Sequence, residues 1–460
     1  MSSLKQVLRR RLSRRTILLS HRLRAVAANL RYGFPGRGVL VVGVTGTKGK
    51  TTSCHFVASI LQEAGFTVGM ATTVSFQIGD KVWSNDTNMS VTGPFPLQKL
   101  LREMRDAHCD ALVLEVTSIA LDQFRTLGIP FRYVGLTNMS HDHLDYHGTW
   151  ANYREAKLKL FTRPGLRAAA VNADDPEAPV FLTRTTARER WSYSTQSSEA
   201  LSPATEHLQA SKISTNPEGS SFTLQTSLGE SQRVRLQIPG IFNIENALCA
   251  AALGLSLNLK LGTVVAGLEA VDHVAGRLER IPTKRGFSVM VDYAHTPDSL
   301  EKLYATLRPD VRGRMIAVLG ATGDRDRTKR PIMGALAARF CDYVFVTDEE
   351  PYTEDPQRII DEVAKGVPRG RPLFKAASAV AVRTERPIFK NPNESGEGEW
   401  WWRVADRREA ISRAIDLGKL DDLIIVSGMG AQNYRKVGEK KEPWNERTVI
   451  EELLQAKNLL

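Results

Sequence analysis

The chain is poor in cysteine, has no long apolar run, and carries no acidic residue near its start. Four cysteines in 460 residues, Cys54, Cys109, Cys249 and Cys341, stand far apart with no Cys-x-x-Cys pair. That pattern argues against a disulfide scaffold or a cysteine-built zinc site and fits reduced, buried thiols in a cytoplasmic protein. No apolar stretch approaches the roughly 18 residues of a membrane-spanning helix. A composition 42% hydrophobic and 25% charged is that of a soluble globular protein, long enough for about two or three domains.

The missing acid is local. Residues 1–31 hold Lys5, Arg9, Arg10, Arg11, Arg14, Arg15, Arg22, Arg24 and Arg31, and no Asp or Glu. These supply most of the net +11, so the basicity belongs to an arm and not to the body. Leucines, valines and an isoleucine interleave with the arginines up to Phe34-Pro35-Gly36, a pattern of one or two amphipathic helices. Three readings compete for this arm. It can lie on an anionic membrane surface, attract a phosphorylated substrate or nucleic acid, or dock on the body with its arginines in water. Charge breaks every apolar segment, so a secretory signal is not expected.

What is present is organised around Val39–Thr52. A short β-branched run reads as a buried strand. The turn Gly46-Thr47-Lys48-Gly49 follows, and then Lys50-Thr51-Thr52 open a helix whose Phe56, Val57, Ile60 and Leu61 share one face. Such a turn lets backbone N–H groups approach phosphates at a helix N-terminus. Lys50 is expected on the outer phosphates and Thr51 on Mg²⁺. The match to Gly-x-x-x-x-Gly-Lys-[Ser/Thr] is imperfect, because Val44 stands where the first glycine belongs and Gly43 and Gly46 flank it.

The pattern then alternates. Strands are expected at 39–44, 68–72, 111–115, 133–137 and 168–172, and helices at 51–64, 96–107 and 150–160. That implies a parallel sheet covered on both faces. The polar 190–237 stretch reads as small antiparallel strands, followed by helices at 243–257 and 261–270. A second alternating block has strands at 287–291, 315–320, 343–347 and 423–427, with helices at 297–307, 331–340 and 356–365. Residues 383–402, ending in Trp400-Trp401-Trp402, read as a hairpin or loop on the surface.

Two constellations carry further chemistry. Glu115 ends an apolar strand, the edge where open parallel sheets place ligands. A carboxylate there suits Mg²⁺, with helix capping as its plain alternative. Asn138 to His147 hold three histidines and two aspartates. Zinc is one reading; beside a phosphate turn, an oxygen-rich Mg²⁺ site helped by one imidazole is favoured, and Asp142 or Asp145 can simply cap helices.

Together, Gly46-Thr-x-Gly-Lys-Thr-Thr, Glu115-Val-Thr-Ser, Asn138-x-Ser-x-Asp-His-Leu-Asp-Tyr-His-Gly148 and Tyr153-Arg-Glu-Ala-Lys157 resemble the Mur ligase family, nearest its MurE branch. Later runs agree: Asn243-Ile-Glu-Asn246, Gly276-Arg277-Leu-Glu, Asp292-Tyr-Ala-His295, Gly323-Asp-Arg325-Asp326 and Glu354-Asp-Pro356. The resemblance implies an α/β chain with a basic arm at 1–38. A central P-loop-type parallel-sheet ATPase domain (39–278) would precede a Rossmann-like C-terminal domain (279–460) that delivers an amino acid. It implies an ATP- and Mg²⁺-dependent carboxylate–amine ligase of peptidoglycan synthesis, working through an acyl phosphate. Its partners would be small molecules and not nucleic acid, and it would act as a cytoplasmic monomer, with membrane contact open through the arm.

Residue by residue, the resemblance gives Gly46 to Thr52, Asn243, Asn246, Arg277, Asp292 and His295 to ATP. Lys50, Glu115, His143 and Lys157 would be catalytic. Thr51, Glu115, His143 and a carbamylated Lys157 would serve the metal. Thr92, Ser118 and Arg125 would hold the acceptor, and Arg325, Glu349, Glu350, Tyr352, Gly428 and Gln432 the incoming amino acid.

The sequence also departs from that pattern. MurE proteins usually carry a globular N-terminal domain that binds the UDP portion, whereas about 38 basic residues precede the first strand here. A UDP-free or lipid-linked acceptor, or a folate-type ligase, therefore stays open. The family's Asp-Asn-Pro-Arg reads Glu349-Glu350-Pro351-Tyr352, which favours a diamino acid without a distal carboxylate. Its Gly-Lys-Gly-His-Glu reads Gly428-Met-Gly-Ala-Gln432, and Ile119 replaces a histidine.

Overall fold

The computed structural model describes residues 13–85, 87, 89, 91–196, 202, 204–216, 218–368 and 397–460, without the side chains of Arg15 and Asp145. Residues 1–12 of the basic arm and 383–396 of the tryptophan-flanked stretch lie outside them. The chain divides into two units, Met1–Ser214 with Gly219–Asp272, and Thr215–Glu218 with His273–Leu460.

The first unit opens on helix α1 (Arg14–Tyr32). The Ser13 hydroxyl caps it by accepting from Thr16 N, and Gly33 ends it at φ 68°, a left-handed turn that favours glycine. One face of α1 is buried through Ala25, Ala28 and Asn29. Asn29 donates to Leu127 O at 2.7 Å, and Arg14 reaches Asp122 at 3.2 Å. The arm from Arg14 onward is thus docked, with Arg22, Arg24 and Arg31 in solvent.

Strand β1 (Leu40–Thr45) is followed by α2 (Lys50–Glu63), β2 (Val68–Ala71) and the hairpin β3 (Ser75–Ile78) and β4 (Lys81–Ser84). Next come α3 (Pro94–Asp106), β5 (Ala111–Glu115), α4 (Ser118–Asp122), β6 (Tyr133–Leu136), α5 (Leu144–His147), α6 (Trp150–Phe161), β7 (Ala168–Asn172) and α7 (Ala178–Arg184). The unit closes with β8 (Glu189–Ser194), β9 (Glu206–Asn216), β10 (Gly219–Thr226), β11 (Ser231–Leu236), α8 (Ile241–Ser256) and α9 (Leu261–Glu269). All eleven strands form one sheet, in the order β11-β10-β9-β8-β7-β6-β1-β5-β2-β3-β4.

The middle of the sheet is parallel, and Val44 of β1 lies opposite Glu115 of β5. Both strands are buried along nearly their whole length, which explains their continuous apolar reading. The 190–237 stretch departs from expectation. β8 pairs parallel with β7 and β9 parallel with β8, so they extend the main sheet; β10 and β11 are antiparallel. Alternation reports a half-buried strand but not its direction. Here α7 crosses over between β7 and β8, the connection a parallel pair requires.

In the second unit β12 (Glu279–Pro282), β13 (Ser288–Asp292), α10 (Pro297–Leu307), β14 (Met315–Leu319), α11 (Lys329–Phe340), β15 (Tyr343–Thr347) and α12 (Pro356–Ala364) alternate. After them come β16 (Trp401–Val404), α13 (Arg407–Leu417), β17 (Leu423–Ser427), the hairpin β18 (Tyr434–Val437) and β19 (Lys440–Pro443), and α14 (Glu446–Ala456). Six strands form a second sheet, β12-β13-β17-β14-β15-β16, parallel except for the β12–β13 pair. The α/β class expected from sequence holds in both units.

The tryptophan run is a correction. Trp401–Val404 is the edge strand β16, and Trp400 is 1% exposed. Trp402 stacks on Phe345 at 4.7 Å. Three successive bulky rings contribute more by burial on a sheet edge than on a surface loop.

One ion pair holds the second sheet's working edge. Arg407 and Glu446 are both fully buried and 2.7 Å apart. Arg407 also donates to Asp348 O and Ser427 O, just past β15 and at the end of β17. Its loss would leave Glu446 with the Trp444 indole N–H but no countercharge, and two carbonyls without the arginine's donors. Arg407→Ala is expected to lower unfolding stability by about 3 kcal/mol or more, while Arg407→Met with Glu446→Leu regains much of it. Urea unfolding of the three proteins checks this; an Arg407→Ala midpoint equal to wild type would contradict it.

Candidate active site

The turn between β1 and α2 is built so that only glycine fits its two bends. Gly46 has φ 152° and Gly49 φ 80°. A Cβ on Gly46 would collide with the Thr137 hydroxyl, and one on Gly49 with the Asn246 side-chain carbonyl. Segments after β6 clamp the turn from the side. Thr47 N donates to Asn138 O at 2.8 Å and Lys48 N to Asn138 Oδ1 at 3.0 Å. Thr137 Oγ1 donates to Lys48 O at 2.5 Å. Lys50 Nζ folds back onto Thr47 O at 2.7 Å.

Thr47 is the hub. Its hydroxyl lies 2.9 Å from Tyr153 OH, accepts from Ser140 N at 2.9 Å, and meets Lys157 Nζ at 3.2 Å. Lys157 is fully buried, 4.5 Å from the centre of the Tyr153 ring. Burial first, and then the charge of Lys50, push its amine well below the ordinary lysine value. Such a position disfavours the ammonium relative to the neutral amine.

The head of α2 carries no side-chain cap and no acid in its first turn. Its first N–H groups and positive dipole end therefore suit an anion. Beside it, Thr51 Oγ1 donates to Glu115 Oε2 at 2.8 Å. Thr73 donates to the same carboxylate twice, from its N at 2.9 Å and its hydroxyl at 2.8 Å. Glu115 is 3% exposed. An anion cradle next to a buried carboxylate–hydroxyl pair fits a nucleotide's phosphates with a hard divalent cation. Thr73 was not anticipated; its signal was a Thr-Thr pair just past the end of β2, level with Glu115.

His143 stands apart. It is exposed, at φ 52°, and its imidazole faces Asp142 at 3.7 Å. Among the described residues no group of three or more His, Cys, Asp or Glu side chains is arranged to hold a metal. Asn243 and Asn246 lie at the head of α8, joined at 3.1 Å, and Asn246 abuts Gly49. Thr52 follows Thr51 into the buried face of α2.

The expected acceptor residues form a second cluster on the same unit. Ser118 Oγ meets His147 Nε2 at 3.0 Å. Arg125 donates to Val91 O at 2.6 Å, beside Thr92, and to Gln123. Gln123 reaches Tyr146 OH, which donates to Asp122. Burial works to raise the Asp122 carboxyl, but hydrogen bonds from Lys159, Arg14 and Tyr146 outweigh it and hold the group below its usual range.

In the second unit, Arg277 lies over the Tyr293 ring at 4.8 Å. Asp292 accepts from Leu278 N and Ala294 N. His295 Nδ1 meets Tyr293 O, and Lys329 donates to His295 O. Arg325 lies 5.4 Å and Lys436 5.1 Å from the Tyr352 ring centre. Glu349 accepts from Thr322 on one oxygen and has no partner on its buried other oxygen, against which Gly428 packs. Glu350 accepts from Lys436 N at 3.2 Å. Burial raises both carboxyls, and Glu349 adds to the effect on Glu350. Gln432 N closes a turn on Met429 O. The loop carrying Arg325 is pinned from beneath: buried Arg330 grips Glu354 and Glu362, and Glu354 accepts from Asp324 N.

A clamped phosphate turn on a parallel sheet, followed by a second α/β unit, defines a nucleotide-using α/β enzyme of two units. Two family models match, the Mur ligase middle domain at residues 44–254 and the Mur ligase glutamate ligase domain at 276–430. The chain belongs to the Mur ligase family and is an ATP-dependent ligase. It is similar to a UDP-N-acetylmuramyl-tripeptide synthetase of Roseiflexus, 37% identical over 90% of this chain and 78% of that protein. It is also similar to a UDP-N-acetylmuramoyl-L-alanyl-D-glutamate–2,6-diaminopimelate ligase of Bacillus velezensis, 34% identical over 92% and 79% of the two chains. A solved structure of another UDP-N-acetylmuramoyl-L-alanyl-D-glutamate–2,6-diaminopimelate ligase superposes with a TM-score of 0.62 at 26% identity, covering 91% of this chain and 79% of that one. A folylpolyglutamate synthase of Mycobacterium tuberculosis shares the fold, with a TM-score of 0.66 at 20% identity over 92% and 94% of the chains.

Gly49→Ala tests the turn directly. Its positive φ and the collision with Asn246 should weaken ATP binding by about tenfold or more. Titration calorimetry reads this, and wild-type affinity in the variant would contradict the geometry.

Proposed function

We propose that this chain joins the D-glutamyl carboxylate of UDP-N-acetylmuramoyl-L-alanyl-D-glutamate to the amine of an incoming diamino acid, with ATP, in peptidoglycan synthesis. The activities of the relatives support the acceptor and the reaction. The observation that carries the proposal is the Thr47 hub, which sets a buried amine, Lys157, against a phosphate turn.

A carboxylate is a poor acyl donor because its leaving group would be oxide. In the proposed reaction the terminal phosphoryl of ATP passes to the carboxylate, giving an acyl phosphate and ADP. The amine then attacks the carbonyl; the amide forms, phosphate leaves, and one proton is released. Negative charge gathers at both stages, so preorganised cations contribute most. Lys50 and the head of α2 would hold the outer phosphates, with Gly46, Thr47, Lys48 and Gly49 lining them and Thr52 extending the helix behind. Asn243, Asn246, Arg277, Asp292 and His295 are assigned to the rest of the nucleotide.

Thr51 and Glu115 would hold Mg²⁺, with His143 and a carbamylated Lys157 completing the set; the ion, when bound, neutralises phosphate charge. The depressed basicity of Lys157 favours carbamylation, because only the neutral amine adds to carbon dioxide. Thr92, Ser118 and Arg125 are assigned to the acceptor. Arg325 is assigned to the α-carboxylate of the amino acid. Glu349, Glu350, Tyr352, Gly428 and Gln432 are assigned to the remainder of its pocket, with Glu350 facing a distal ammonium.

ADP release that requires both the muramyl dipeptide acceptor and one of lysine, ornithine or meso-diaminopimelate is the expected result. No turnover with any of the three overturns the reading. Lys157→Ala should cut ligation by about a hundredfold or more, and a short carboxylic acid in solution should restore part of it. Wild-type turnover in that variant would remove Lys157 from the mechanism.

A further inference from the structure

Helix α1 docks by one face and leaves another, wholly apolar, in water. Leu19, Leu23, Val26 and Leu30 are 55%, 61%, 41% and 67% exposed. At about 100° per residue these four fall within roughly a 60° sector on the side opposite Ala25 and Ala28. Exposed leucines scattered singly are ordinary, but a four-residue stripe along one helix is a contact surface. No other helix among the described residues carries more than one large exposed apolar side chain.

The charge around the stripe says what covers it. Exposed Arg22 borders the stripe, and exposed Arg31 and Arg24 lie further round the helix on its other side. No Asp or Glu occurs before Glu63, and residues 1–12 add Lys5, Arg9, Arg10 and Arg11. A second copy of the helix packed on the stripe would bring like charges together, with no acid to pair. An anionic surface with an apolar layer beneath satisfies both features at once: leucines enter the headgroup boundary and arginines stay at the phosphates. Among the described residues no helix is long and apolar enough to cross a bilayer, so the helix would lie on it.

We propose that α1 seats the enzyme on an anionic lipid surface through Leu19, Leu23, Val26 and Leu30, with Arg22 at the headgroups and Arg24 and Arg31 adding positive charge from further round the helix. The inference is independent of which acceptor and amino acid the ligase uses.

The test is co-sedimentation of the full chain with vesicles of phosphatidylglycerol and phosphatidylcholine, against phosphatidylcholine alone. Leu23→Ser/Leu30→Ser removes apolar contact, and Arg22→Gln/Arg24→Gln/Arg31→Gln removes charge. These side chains are exposed, so urea midpoints should match wild type. The wild type should partition onto the anionic vesicles only. Both variants should bind at least about tenfold more weakly, since each arginine near such a surface contributes about fivefold, and raised salt should release the protein. The proposal is overturned if the wild type ignores anionic vesicles, or if both variants bind as well as it does. It is equally overturned if ultracentrifugation shows a dimer that Leu23→Ser/Leu30→Ser dissolves.

Discussion

The structure turns on one hydroxyl. Thr47 Oγ1 ties the phosphate turn to Ser140, to Tyr153 and to Lys157. A glycine turn is flexible by composition, since each glycine loses more freedom on folding than any other residue. The turn becomes a rigid cradle only because side chains from two other segments close on it. Thr137 and Asn138 hold its backbone from one direction, and helix α6 holds Thr47 from the other. The sheet order makes this possible. β6 lies directly beside β1, so the segment leaving β6 passes the mouth of the turn.

The same geometry bears on Lys157. Among the described residues its Nζ meets one hydroxyl and one ring face and forms no ion pair, so a dry site disfavours its charged form. Glu115 shows the opposite logic. It is just as buried, yet it receives three hydrogen bonds from Thr51 and Thr73 and keeps its acceptor lone pairs ordered. A buried amine thus touches the turn itself, and a buried carboxylate touches the first turn of the helix that follows it.

Much of this was legible in the sequence. The β-branched strand, the glycine turn and the helix face of Phe56, Val57, Ile60 and Leu61 are periodicity signals that tertiary context did not override. The strands carrying Glu115 and Asp292 were equally plain. What the sequence did not disclose depends on partners far away in the chain. Thr73 has no motif of its own and matters only because β2 pairs with β5. The direction of β8 and β9 is set by a crossover and not by alternation. Three tryptophans in a polar stretch read as a surface because their partners, Tyr343 and Phe345, lie on another strand. For α1 the sequence showed an amphipathic arm and left its use open; only the docking of Ala25, Ala28 and Asn29 fixes which apolar face is turned away.

The second unit applies the same principle with charge in place of hydroxyls. Arg330 is fully buried yet bridges two glutamates, and through Glu354 it fixes the backbone at Asp324, next to Arg325. Arg407, equally buried, fixes the backbone at Asp348, next to Glu349. Buried ion pairs add little net stability over apolar replacements of similar volume, because desolvation offsets their attraction. Their advantage here is directional. A guanidinium has five donors in a fixed fork and can hold several carbonyl and carboxylate oxygens at set angles, which leucine cannot. Each buried arginine therefore sits one step behind a residue assigned to the incoming amino acid, and the loops at that edge keep their shape before any substrate arrives.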